Sequence, residues 1–145
     1  MGGHEYVIAP GWWHGVEPLN FGWEACASGH QFGPAVRHYY LLHYVLEGEG
    51  TFWKAETSYQ VGPGDLFVIH PEEVTTYRAS RACPWQYVWL GFRAEETPAF
   101  LHKPVLRQPP VRKIFEGLRE QCQYEHQDGR IFSLTYELLW RLAQD

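Results

Sequence analysis

The sequence has no apolar run long enough to cross a bilayer and no basic segment leading into an apolar one near its start, so neither a membrane span nor a secretory signal is expected. A basic surplus is also missing. Twelve Lys and Arg stand against 17 Asp and Glu, a formal charge of −5, which leaves nothing to neutralise phosphates and argues against a grip on DNA or an anionic membrane by this chain alone. Cysteine is scarce: Cys26, Cys83 and Cys122 are odd in number, far apart and outside C-x-x-C spacing, which predicts buried, reduced thiols in a cytoplasmic protein. No G-x-S-x-G elbow occurs, and no cysteine sits in an activating context. Gly62-Pro63-Gly64-Asp65 leads into an apolar strand rather than a helix, so it reads as a tight turn and not a phosphate loop. The carboxylate pairs Glu72-Glu73 and Glu95-Glu96 are adjacent residues that point apart near turns, and read as solvated charges. No catalytic residue and no cofactor is therefore expected.

What is present fits one β-rich domain. At 145 residues the chain can bury most of the surface its unfolded form would expose, and 17% of it is aromatic, with seven Trp and nine Tyr. From about Tyr6 to Phe92 short apolar runs alternate with Gly, Pro and acidic turns every eight to twelve residues or so, the pattern of an antiparallel sandwich or barrel. Strands are predicted at 39–46, 51–54, 58–61, 66–70, 75–79 and 85–92, with a hairpin at Glu47-Gly48-Glu49-Gly50. Before Tyr39 the signal is weaker: an arm and one or two irregular strands.

Pro109-Pro110 closes the β part. Val111, Ile114, Phe115, Leu118 and Cys122 recur at helical spacing to about His126, and Gly129 stops that helix. A second helix carries Ile131, Leu134, Leu138 and Leu142 on one stripe, broadened by Phe132, Leu139 and Trp140. That is more apolar surface than one contact needs, so Leu134, Leu138, Trp140 and Leu142 are expected to serve a partner copy as well as the barrel. The alternative, helices that only cap the barrel, stays open.

The strand at 85–92 is the strongest chemical signal. Alternation sends Trp85, Tyr87, Trp89 and Gly91 to one face, and Gln86, Val88, Leu90 and Phe92 to the other. An aromatic face with a gap at Gly91 suits the C–H faces and hydroxyls of a small polar ligand, although a Trp-rich core strand fits the same pattern. Arg37 adds forked donors and Tyr77 a hydroxyl; a surface arginine and a buried tyrosine remain the plain alternatives.

The run Gly33-Pro34, Arg37, Tyr40, His43-Tyr44-Val45, Gly48-x-Gly50, Tyr59-x-Val61-x-Pro63-Gly64-Asp65-x-Phe67-x-Ile69-x-Pro71, Tyr77 and Pro84-Trp85-x-Tyr87-x-Trp89-x-x-Phe92 resembles the N-terminal effector-binding and dimerisation domain of AraC-family transcriptional regulators. The resemblance implies a mainly β, cupin-like double-stranded β-helix over residues 1–108 with an N-terminal arm within 3–20, then a helical dimerisation segment at 109–145. It further implies a small-molecule effector, a sugar above all, bound at Arg37, Tyr77, Tyr87 and Trp89 in a homodimer. DNA would be bound only by a C-terminal helix-turn-helix domain absent from this chain. In the arabinose-responsive member the pocket residues align with Tyr77, Tyr87 and Trp89, but Tyr87 stands where that member has a histidine, so arabinose is not implied.

Two rivals share the barrel. A cupin-type sugar isomerase or dioxygenase would need a metal triad or an acid/base pair. Such barrels commonly take metal through His-x-His, Glu and a later His. Here no His-x-His exists, His38 and His43 are five apart on opposite faces of a strand, and Thr75 and Thr76 stand where the later His belongs, so no metal is expected. The other rival is a pure dimerisation module with a filled barrel.

Overall fold

The computed structural model describes residues 2–123, 125 and 127–144. Period-two alternation organises the β part into two antiparallel sheets. The first has the order β1 (Glu17–Ala25), β8 (Gln86–Arg93), β3 (Tyr40–Glu47), β6 (Leu66–Ile69) and β9 (Val105–Leu106). The second has the order β2 (Gln31–Val36), β7 (Val74–Ala79), β4 (Gly50–Lys54) and β5 (Thr57–Val61). Two helices follow, α1 (Arg112–Gln123) and α2 (Asp128–Leu142). This is the barrel with two C-terminal helices that the sequence predicts, and the six predicted strands match β3 to β8 within one residue at each end.

The connections differ from expectation in instructive ways. Glu47-Gly48-Glu49-Gly50 is no hairpin: β3 and β4 lie in different sheets, and this turn carries the chain from one to the other. Gly48 is required there, with φ of 73° and a position where a Cβ would come within 2.3 Å of the Pro84 carbonyl. The actual hairpin joins β4 to β5 through Ala55-Glu56, with Ala55 at φ of 54°, and no glycine or asparagine marks it. Ahead of Tyr39, β1 is a full nine-residue strand paired along β8, so residues 17–20 belong to the barrel and not to an arm. His38 lies between β2 and β3 rather than in a strand, its Nδ1 2.9 Å from Glu72 Oε1. Glu73 is no solvated charge: it bridges Lys54 at 3.2 Å and His70 at 3.0 Å.

The first sheet separates two cores. Its outer face offers Leu42, Tyr44, Leu46, Leu66, Val68, Val88, Leu90 and Phe92 to the helices, whose Ile114, Phe115, Leu118, Ile131, Leu134, Leu138, Leu139 and Leu142 fill that layer. Each such side chain contributes roughly 1.5–3 kcal/mol by leaving water. Its inner face meets the second sheet through Leu41, Val45, Phe67 and Ile69 against Phe52, Val61, Tyr77 and Ala79. Asp65 ties the layers together. Nearly buried, it accepts from Gly62 N–H at 3.0 Å, Arg107 Nη1 at 3.0 Å and Gln108 Nε2 at 3.1 Å, pinning the Gly-Pro-Gly turn to the segment that leads into α1.

In the helical part Gly129 stops nothing. It lies in the first turn of α2, one residue after Asp128, whose carboxylate suits the positive end of a helix. The end of the first helix expected near His126 lies outside the described residues, as does the expected segment end at 145; α1 is described to Gln123. The thiols divide as well: Cys26 is buried, whereas Cys83 and Cys122 are exposed, so only one is the buried residue expected. Among the described residues no helix is long and apolar enough to cross a membrane.

Candidate functional site

Three rungs of side chains cross the inner face of the first sheet. Register pairs Leu41 with Gly91 and Gly91 with Asn20, His43 with Trp89 and Trp89 with Gly22, and Val45 with Tyr87 and Tyr87 with Glu24. The facing sheet contributes Tyr77 on β7 and, paired beside it on β2, Phe32, their rings stacked at 5.6 Å. Between them lies a cavity of about 130 Å³ lined by Asn20, Glu24, Phe32, Arg37, Tyr39, Leu41, His43, Tyr77, Tyr87 and Trp89. Phe32 (42% exposed) and the half-buried Arg37 mark the side on which it meets solvent.

Two absences of side chain shape this space. A Cβ on Gly22 would sit 2.2 Å from Trp89 Cζ2, so the indole lies flat over the glycine. A Cβ on Gly91 would meet Asn20 Oδ1 at 2.6 Å and Tyr39 Cε2 at 2.9 Å, so the gap read in the sequence is used by those two neighbours.

The polar groups are set for neutral hydrogen bonding. Burial pushes the Tyr77 phenol up to about 12 and the Tyr87 phenol higher still, so both keep their protons. Tyr87 donates to Glu24 Oε1 at 3.2 Å. His43 is buried, stacked on Phe67 at 4.6 Å and edged by Tyr87 at 4.9 Å. Burial, reinforced by the charge of Arg37, lowers its pKa to about 3, so the imidazole is neutral. Arg37 lies over the Phe32 ring at 5.6 Å, which orients the guanidinium at the mouth.

Arg37, Tyr77, Tyr87 and Trp89, the ligand-binding residues expected from the sequence, all line this one cavity. Sequence reading missed Asn20, Glu24, Phe32, Tyr39, Leu41 and His43. A signal for the first two was available: Leu19, Phe21 and Trp23 alternate with Asn20, Gly22 and Glu24, an apolar face against a small and polar one. Nothing local marks Phe32, which reaches the site only through the pairing of β2 with β7. Among the described residues no three of His, Cys, Asp and Glu gather where they could hold a metal ion. Thr75 is buried on β7.

The residues expected to serve a partner separate. Leu134, Leu138 and Leu142 are at most 2% exposed and complete the core under the first sheet, so the expectation that they face a partner fails. The helix needs them inward because the part of the sheet's outer face they cover is apolar: Leu42, Tyr44, Leu46, Leu66, Val68, Val88, Leu90 and Phe92. Trp140 is 57% exposed and continues a stripe with Phe132 and Tyr136, four residues apart each, on the opposite side of α2.

Comparison with known proteins bears on the family and the fold. The family model for AraC-like ligand binding domains matches residues 17–141. The raffinose operon transcriptional regulatory protein of Pediococcus pentosaceus is 40% identical over 138 residues, covering 88% of this chain and 50% of that protein. The Msm operon regulatory protein of Streptococcus mutans is 32% identical over 96 residues, covering 66% of this chain and 33% of that protein. The chain thus spans half or less of the length of these relatives. Among solved structures the protein YhaK of Escherichia coli superposes with a TM-score of 0.51 at 18% identity, over 71% of this chain and 47% of that one, a likeness of fold alone.

Proposed function

We propose that this chain, which belongs to the family of AraC-like ligand binding domains, senses a sugar in the cavity between its sheets and passes that state to a DNA-binding domain of the whole regulator. The observation that carries the reading is the composition of the cavity: one carboxylate, one guanidinium, one amide, one imidazole and three tyrosine phenols around the flat face of Trp89. Forked and paired groups of both signs suit the vicinal hydroxyls of a neutral ligand, and the indole suits its C–H face. A ligand acid would face Glu24, and a ligand amine would face Arg37. The volume is on the scale of one six-membered ring, since a cavity of roughly 150 Å³ accommodates benzene. The relative named for a raffinose operon supports a sugar in particular.

The unfilled cavity speaks against a pure dimerisation module. A sugar-modifying enzyme would need an acid/base pair or metal triad across the ligand, and the described residues offer one carboxylate in the cavity. The reading includes a homodimer in which Phe132, Tyr136 and Trp140, not the buried leucines, meet the partner copy. Calorimetric titration with raffinose and its component galactose, glucose and fructose tests the sensor. Saturable, one-to-one heat from at least one of them is expected, and no heat from any at millimolar sugar overturns the reading.

A further inference from the structure

His43 has a feature that packing does not account for. It is 2% exposed, it lines the cavity, and its Nδ1 has no hydrogen-bond partner. Its neighbours are rings: Phe67 stacked against one face, Tyr77 at 4.8 Å and Tyr87 edge-on. A phenylalanine would fill that slot without leaving a buried polar atom unpaired, an arrangement native interiors avoid. The position thus carries hydrogen-bonding capacity that the folded chain leaves unused.

We propose that His43 is the residue at the inner wall of the cavity that reads one hydroxyl of the bound sugar, and so selects among sugars that differ at that carbon. The inference rests on the cavity being the ligand site. A neutral imidazole carries one N–H donor and one acceptor nitrogen, and a hydroxyl, which both donates and accepts, satisfies either tautomer. An ammonium or carboxylate group satisfies only one. Glu24 on β1 and Arg37 before β3 supply the charged partners elsewhere around the ring, while Tyr77 on β7 and Tyr87 on β8 flank the imidazole as protonated phenols. The placement is exact in register: His43 lies between Phe67 and Trp89 across the sheet, so the platform that stacks the sugar and the group that reads its edge are cross-strand neighbours. A site built to bond a hydroxyl rejects an analogue lacking it far more strongly than an apolar wall rejects a shape change, because a buried group loses its only partner.

The test pairs a protein change with a ligand change. Wild type, His43→Phe and Trp89→Ala are titrated with galactose, glucose, fructose and raffinose, and then with the monodeoxy derivatives of the tightest-binding monosaccharide. One deoxy position should lose at least about tenfold in wild type. His43→Phe should bind the parent about that much more weakly and no longer distinguish the parent from that derivative. His43→Leu supplies the same comparison if the phenylalanine variant does not fold cooperatively. Parent affinity and deoxy discrimination that are unchanged in His43→Phe, with Trp89→Ala weakened, overturn the role of His43 and leave the cavity as the site. Unchanged affinity in both variants overturns the cavity reading itself, as does the absence of binding by any of these sugars. Because His43 stays neutral and the other titratable groups lining the cavity among the described residues are Glu24, Arg37, Tyr39, Tyr77 and Tyr87, its contribution to affinity should be level between pH 8 and 6. A His43-dependent step in that range contradicts the proposal.

Discussion

The two faces of the first sheet are built by alternate residues of the same strands, yet they solve different problems. The outer face is apolar along β3 and β8, and the helices fill it with leucine and phenylalanine, as with Tyr44 stacked on Phe115 at 4.9 Å. The inner face, on the same strands, carries His43, Tyr87 and Trp89, is joined by Asn20 and Glu24 of β1, and stays partly unfilled. One face spends its side chains on stability, and on the proposed reading the other serves recognition. Substitutions on the two faces should therefore divide cleanly between melting temperature and ligand affinity.

The largest effect is expected from Leu138→Glu. A carboxylate placed where Leu138 is fully buried among apolar neighbours has no partner, and burying an uncompensated charge destabilises by about 3–5 kcal/mol or more. Chemical denaturation should show a chain that is unfolded or nearly so. A well-folded variant would mean that α2 does not pack as described. Next, Leu90→Ala, one residue from Trp89 but on the outer face, should lower stability by about 2–5 kcal/mol and leave sugar affinity within about twofold. An affinity loss that matched the stability loss would erase the distinction between faces.

Acid should sharpen the same comparison. The folded state holds His43 neutral with a pKa of about 3, while the unfolded chain protonates it below about pH 6.5. The unfolded state then binds more protons, so the stability tied to this histidine is present above pH 6.5 and is lost as pH falls toward 3. Between pH 7 and 5 that amounts to about 2 kcal/mol, and it should be missing from His43→Phe. His70, whose pKa burial also lowers, contributes to both proteins and cancels in the difference. Equal pH slopes in the two proteins would show that His43 is charged or exposed. The smallest effect on stability is expected from Trp140→Glu on the solvent side of α2, within about 0.5 kcal/mol. If the proposed homodimer holds, light scattering should find the parent chain dimeric and this variant monomeric at the same concentration.

Where period two or period 3.6 governs, the sequence was readable: six strands, two helices and the inward set of Trp85, Tyr87 and Trp89 follow from spacing. What spacing does not contain is which sheet a strand joins. Glu47 to Gly50 has the composition of a hairpin, and only the partition of β3 and β4 between sheets makes it a crossover. Phe32 is invisible as a site residue for the same reason, since its pairing with Tyr77 spans 45 positions of chain. The helix α2 carries two apolar stripes, Ile131-Leu134-Leu138-Leu142 and Phe132-Tyr136-Trp140, and no rule of periodicity says which the barrel will claim. The sheet took the leucines and left Phe132, Tyr136 and Trp140 outside. Sequence alone gives His43 no role in the site, which appears once burial shows a nitrogen without a partner.

The central claim, that ligand is held on the inner face against Trp89, is tested most directly by calorimetry of Trp89→Ala with the tightest-binding sugar found for the parent chain. Loss of the indole removes stacking worth about 0.5–1.5 kcal/mol beyond the area it covers, so affinity should fall at least about tenfold while the melting temperature stays close to that of the parent, as suits a half-buried side chain. Undiminished affinity in a folded Trp89→Ala protein would contradict the account.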